Sequence, residues 1–220
     1  MIPISDSPRI KLPITNIIII VFIIIIFLTQ IFGDYEKIIY QYALIPSEIN
    51  FNNITTLYRF MTAIFLHGDI FHLIFNMWFL WIFGDNIEEK LDFKIFLIIF
   101  FVSGLIGNLL QFLFMSNSNI PILGASGAIA GILGAYIILF PKKRIKTLIP
   151  IFGAPIIIYL PAIIMLGYWF ILQVISVNFN ISQDFSGIAV LTHIGGFISG
   201  SIIAYLYKNK PQKIVETSII

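Results

Sequence analysis

The sequence predicts an all-α membrane protein, a bundle of six transmembrane helices with a membrane-embedded outer loop between the first two. Three observations carry this. The 220 residues are 59% hydrophobic and only 11% charged, whereas soluble domains carry roughly 25% charged residues. Six apolar runs approach the ~20 residues that a helix needs to cross a hydrocarbon core ~30 Å thick. The bases fall almost entirely on one side of those runs. A soluble enzyme, a nucleic-acid binder and a disordered chain are thereby excluded, and a net charge of +2 is too small to seek a polyanion. With no cysteine, disulfides and thiolate metal sites are excluded as well.

The first span covers 13–33. Arg9 and Lys11 ahead of it mimic the start of a secretion signal, but the apolar run continues to Phe32 and no small-residue cleavage site follows. A retained helix is the reading. Span two covers 70–87 and span three 95–115, the latter bounded by Lys94 and by the polar run Ser116–Asn119. Span four covers 126–140 and stops at Pro141. Span five covers 150–177, and Pro150, Pro155 and Pro161 predict an irregular start to its helix. Span six covers 189–207. The tails outside 13–207 are too short to bury a core, so residues 1–220 read as one polytopic domain.

Orientation follows from the bases. Arg9, Lys11, Lys90, Lys94, Lys142, Lys143, Arg144, Lys146, Lys208, Lys210 and Lys213 share one side; only Lys37 and Arg59 fall on the other. Both termini are therefore expected in the cytoplasm, with a prokaryotic plasma membrane the expected setting. The segment 34–69 is too apolar for a solvated loop and too broken for a span, which suits an interfacial structure in the outer leaflet.

Polar groups inside spans are costly and so mark function. The first such place is Gly124-Ala125-Ser126-Gly127, where a serine falls in the first turn of span four. Free backbone N–H groups there favour developing negative charge. Gly127 and Gly131 form a small-residue face that admits a second helix. Fifteen residues of helix reach only about 22 Å, so Ser126 should lie below the outer surface, beside a water-filled cavity, with Asn117 to Leu123 dipping into the membrane. The second place is His193 in span six, with Gly196 and Gly200 on the same face. That face can meet the glycine face of span four. The third is His67, His72 and Asn76 at the outer start of span two; His72 and Asn76 project together and can both donate to an oxyanion. The spacing of these histidines is a poor zinc signature.

Together these residues resemble the rhomboid family of intramembrane serine proteases, over about residues 57–207. The motifs are Tyr58-Arg59, His67…His72…Asn76, Glu88-Glu89-Lys90, Gly124-Ala125-Ser126-Gly127, and His193-Ile194-Gly195-Gly196 with Gly200. The resemblance implies a six-helix core and a Ser–His dyad, with Ser126 as nucleophile and His193 as general base. It implies that His72, Asn76 and the Ser126 N–H form the oxyanion hole, and that Arg59 and Glu88 give structural support. Gly124, Gly127, Gly131, Gly196 and Gly200 would pack the helices at the site. It implies transmembrane protein substrates entering from the lipid bilayer between spans two and five, with no metal and no cofactor; it leaves the oligomeric state open. Ala130 stands where many relatives carry an aromatic against the catalytic histidine, so another side chain is needed to hold His193.

Two other readings use the same features. A catalytically inactive relative that binds transmembrane segments would be expected to lack Ser126 or His193. A channel or transporter would line a path across the whole bilayer with ionisable groups, and the inner halves of the spans are read as having none.

Overall fold

The computed structural model describes residues 1–6, 12–151, 154–181 and 190–209. Arg9, Lys11, Lys210 and Lys213 lie outside the described residues.

The described chain is mostly helical. Helix α1 (Ile14–Phe32) is followed by the short helices α2 (Tyr35–Tyr42) and α3 (Arg59–Thr62) in the outer loop. Helix α4 (Ile70–Phe114) comes next, then α5 (Ser126–Leu139), α6 (Ala162–Ile181) and α7 (Val190–Tyr207). Among the described residues, α1, α4 and α7 are long and apolar enough to cross a membrane, and α5 and α6 are shorter apolar helices. The 45 residues of α4 are not one straight rod. Asp92 has φ 75° and ψ 156°, a positive-φ conformation outside the αL well that strains any residue with a side chain, and its carboxylate accepts from the Lys94 N–H. Spans two and three therefore meet at a one-residue break, where the sequence suggested a loop from 88 to 94.

The all-α expectation needs correction. Strands β1 (Ile2–Ser5), β2 (Arg144–Ile151) and β3 (Ala154–Pro161) form an antiparallel sheet in the order β1-β2-β3. Pro150 pairs with Pro155 and Arg144 with Pro161 in the β2–β3 register. The prolines that made the start of span five irregular forbid a helix there, and the β-branched run Ile156-Ile157-Ile158 favours extended backbone. The helix of span five thus begins at Ala162, not near 150. The end of the bundle that carries Lys142 to Lys146 also holds more buried polarity than expected. Asp85 and Asn86 are buried. Asp6 accepts from the Asn86 amide and the Tyr136 hydroxyl, each at 2.6 Å, and lies 3.5 Å from the Lys143 ammonium. Burial of Asp6 is tolerable because it is paired and hydrogen-bonded. The Trp78 indole N–H donates to the Pro3 carbonyl at 2.8 Å, fastening β1 to α4.

Glu88 ties α1 to α4. Its two carboxylate oxygens accept from the Thr15 and Asn16 N–H groups at 2.9 and 2.8 Å. These are free donors at a helix start, where negative charge is favoured.

The interior is organised by α5 and α7. A Cβ placed on Gly196 would overlap the Gly127 carbonyl, and one on Gly200 would overlap the Gly131 carbonyl. The two backbones are thus in direct contact, as glycine faces allow. Valine in place of Gly200 has backbone to displace, and overpacking of this kind costs about 1–3 kcal/mol or more. Gly200→Val should lower the thermal midpoint in detergent micelles by several degrees, while Ile202→Val, at a 55% exposed position on the same helix, should leave it unchanged. Equal midpoints would show that the seam is not close-packed.

Candidate active site

Ser126 is the first residue of α5 and His193 the fourth of α7. The glycine seam sets their register, and His193 Nε2 lies 2.9 Å from Ser126 Oγ. His193 Nδ1 lies 2.9 Å from the Oε1 of Gln173, on α6. With the amide oxygen accepting at Nδ1, the bare Nε2 can accept the serine hydroxyl proton. No side chain caps the start of α5, so the N–H groups of its first turn have no intrahelical acceptor and point toward this end.

His72 flanks the loop that leads into Ser126. Gly124 has φ 121°, open to glycine and strained for other residues, and a Cβ there would fall 2.8 Å from His72 Nε2. Asn76 is buried, and one N–H of its amide donates to the His72 carbonyl at 2.8 Å; the second N–H is left for another acceptor. Asp69 caps α4 through the His72 N–H at 2.9 Å. Arg59 and Glu88 are not at the pair. Arg59 bonds the Glu48 carboxylate in the outer loop, and this bond holds the Glu48 carboxyl below the usual range. Glu88 lies about 24 Å along α4 from His72 at 1.5 Å per residue.

The loop before Ser126 is held by protein. Leu44 and Ile122 exchange backbone hydrogen bonds, and the Gly124 N–H donates to the Ala63 carbonyl at 2.9 Å. Non-helical backbone buried away from water requires such partners.

Five supporting residues escape a reading of sequence alone. Gln111 Oε1 accepts from the Leu191 and Thr192 N–H groups at 3.0 and 3.3 Å, capping the start of α7 just before His193. The Ser199 hydroxyl donates to Ser103 Oγ at 3.0 Å. Trp169 of α6 lies beside the His193 ring with centroids 5.8 Å apart and planes tilted by 41°. Gln173 is the fifth. The available signal was polarity: Gln111 and Gln173 both interrupt apolar runs, which marks a residue for attention.

The fold and this pair define a polytopic helical membrane protein with a serine–histidine contact at the start of a short helix. The chain belongs to the rhomboid family: residues 55–210 match the Rhomboid domain. It is 37% identical over 147 residues to rhomboid protease GluP of Bacillus subtilis (strain 168), covering 67% of this chain and 25% of that protein. It is 30% identical over 155 residues to the mitochondrial RHOMBOID-like protein 6 of Arabidopsis thaliana, covering 70% and 45%. It is 28% identical over 156 residues to the putative rhomboid protease YdcA of Bacillus subtilis (strain 168), covering 71% and 70%. The chain thus spans a quarter to under a half of the first two relatives.

His67 lies next to this site and is fully buried. Gln30 of α1 clamps its backbone, accepting from the His67 N–H and donating to its carbonyl, both at 3.1 Å. Its ring meets the His72 ring edge-on at 5.1 Å. Burial pushes the His67 imidazole down to about 4, from an ordinary value of 6.5, and the neighbouring His72 adds to this. The folded protein therefore keeps His67 neutral while the unfolded chain takes up a proton between about pH 6.5 and 4. Stability from this group is full above that window and is lost as pH falls through it, by on the order of 2–3 kcal/mol. The thermal midpoint of the wild type should drop more between pH 7.5 and 5 than that of His67→Asn. Parallel slopes would remove His67 as the source.

Proposed function

We propose that this chain is an intramembrane serine endopeptidase that cleaves transmembrane-helix substrates near the outer membrane face by a Ser126–His193 dyad. The 2.9 Å contact between His193 Nε2 and Ser126 Oγ carries this reading. A serine hydroxyl is a poor nucleophile until an adjacent base takes its proton. His193 accepts that proton as Ser126 attacks the scissile carbonyl, then returns it to the leaving amine. Water, activated by the same imidazole, hydrolyses the acyl-enzyme. The charge that develops on the carbonyl oxygen needs donors already in place. The Ser126 N–H at the uncapped start of α5, the His72 imidazole beside Gly124 and the remaining amide N–H of Asn76 are the candidates.

The membrane setting follows from the same reading. The spans form a six-helix core, both termini face the cytoplasm, and the pair lies toward the outer side with His72. Membership of the rhomboid family and the protease names of relatives support membrane-protein substrates.

Ser126→Ala and His193→Ala should each bring cleavage of a single-span reporter to background while leaving the thermal midpoint intact. A fluorophosphonate probe should label Ser126 in the wild type and not in either variant. Undiminished cleavage by Ser126→Ala would refute the assignment. Asn76→Ala should lower kcat by about 10²-fold, the effect of losing one oxyanion donor; an unchanged kcat would remove Asn76 from the hole.

A further inference from the structure

We infer that Gln173 is a third, positioning member of this site, fixing the His193 tautomer and ring orientation through the Nδ1 hydrogen bond. The inference rests on the proposed dyad and deepens it. A neutral imidazole carries one proton on two nitrogens, and only the Nδ1–H form leaves Nε2 free to act as a base toward Ser126. Gln173 Oε1, 2.9 Å from Nδ1, accepts that N–H and selects this form. The opposite face of the amide would do the reverse: an NH2 group toward Nδ1 would make Nδ1 the acceptor and place the proton on Nε2, against the serine. In serine-protease triads, a wrong tautomer costs about 10⁴-fold in kcat.

Two further observations point to the same role. Gln173 interrupts the apolar run Ile171-Leu172-Gln173-Val174, where an amide without a partner would be expensive. Trp169 lies four residues earlier, on the same face of α6, and its ring covers His193 at 5.8 Å. The imidazole thus meets α6 at two points: a tilted aromatic ring beside it and an acceptor at Nδ1. Ala130 of α5 is small and buried and offers no aromatic ring to the histidine. Phe170 stacks on Phe197 of α7 with centroids 4.4 Å apart, which keeps this stretch of α6 against the helix that carries His193.

The test uses the full chain purified in detergent micelles, with a fluorophosphonate probe and a single-span substrate. Gln173→Leu keeps an apolar helix surface and removes the acceptor. It should lower the Ser126 labelling rate and kcat by about tenfold or more, with KM nearly unchanged, the pattern of an interaction made in the transition state. Gln173→Glu restores an acceptor oxygen whether its carboxyl is ionised or protonated, and should stay within about threefold of the wild type. A packing role alone predicts the opposite order, with leucine tolerated and glutamate not. A Leu variant as fast as the wild type, or a Glu variant no faster than Leu, would overturn the inference. Should Gln173→Glu fail to fold, the ¹⁵N spectrum of labelled histidine decides: His193 should be protonated at Nδ1 in the wild type and a tautomer mixture in Gln173→Leu, and identical spectra would refute the role. Failure of wild-type Ser126 to label at all would instead strike the protease reading.

Discussion

The direct backbone contact between α5 and α7 is the constraint on which the rest depends. Gly196 packs on the Gly127 carbonyl and Gly200 on the Gly131 carbonyl, so the helices are registered at two points one turn apart. Ser126 immediately precedes the first of these points on α5, and His193 lies three residues before it on α7. The serine–histidine distance is thus set by the seam and not by the two side chains. A single methyl group in the seam would part the helices, and a hydrogen bond of 2.9 Å has little slack before it is lost. Helix α4 closes the third side. A Cβ on Gly107 would overlap the Thr192 carbonyl, and one on Gly195 would fall 3.1 Å from the Gly107 Cα. Three helices therefore meet with almost no side chain between them, directly beneath the site.

A short α5 has a second consequence. Fourteen residues make about 21 Å of helix, so the chain reaches Ser126 through a non-helical segment whose peptide groups need partners. The outer loop supplies them at Leu44 and Ala63. That loop is itself pinned to the bundle by the Gln30–His67 backbone clamp and by the Asn108 amide donating to the Phe60 carbonyl at 2.8 Å. This explains why residues 34–69 are apolar yet broken: they form a wall that must pack on helices while presenting peptide groups to the loop before Ser126.

Most helices were legible because their limits are fixed by local chemistry. Span six at 189–207 corresponds to Val190–Tyr207, span one at 13–33 to Ile14–Phe32, and Pro141 ends the short helix after Leu139. The sheet was not legible. Hydropathy cannot tell an Ile-rich strand from a helix in a short apolar run, and the partner of β2 includes residues 2–5, about 140 positions away. The prolines and β-branched residues of 149–161 were the missed signal. At the site, Ser126 and His193 stood out because polarity is scarce in the spans. Gln173 and Gln111 are equally polar, but an amide declares no chemistry until its partner is known, and those partners lie on another helix. Asp85 and Asn86 were passed over for a similar reason: they resemble the end of a span until Asp6 and Lys143 are seen beside them.

The choice of an amide behind His193 has a physical logic in this setting. A carboxylate would orient the imidazole more strongly and stabilise the imidazolium that forms when it takes the serine proton. It would also have to be carried, ionised, inside an apolar helix bundle, where an unpaired charge costs several kcal/mol or more. A glutamine supplies the direction of the hydrogen bond without the charge. What it surrenders is certainty of direction, since its amide can turn and offer a donor in place of an acceptor. With the Ser126 hydroxyl donating to a bare Nε2, the oxygen of Gln173 is the group that fits at Nδ1, and the Trp169 ring lies beside the imidazole. Orientation at this site is then shared among a ring, a hydroxyl and a neutral amide, and since two of the three contacts to His193 come from α6, any displacement of that helix loosens the imidazole while the glycine seam leaves Ser126 in place.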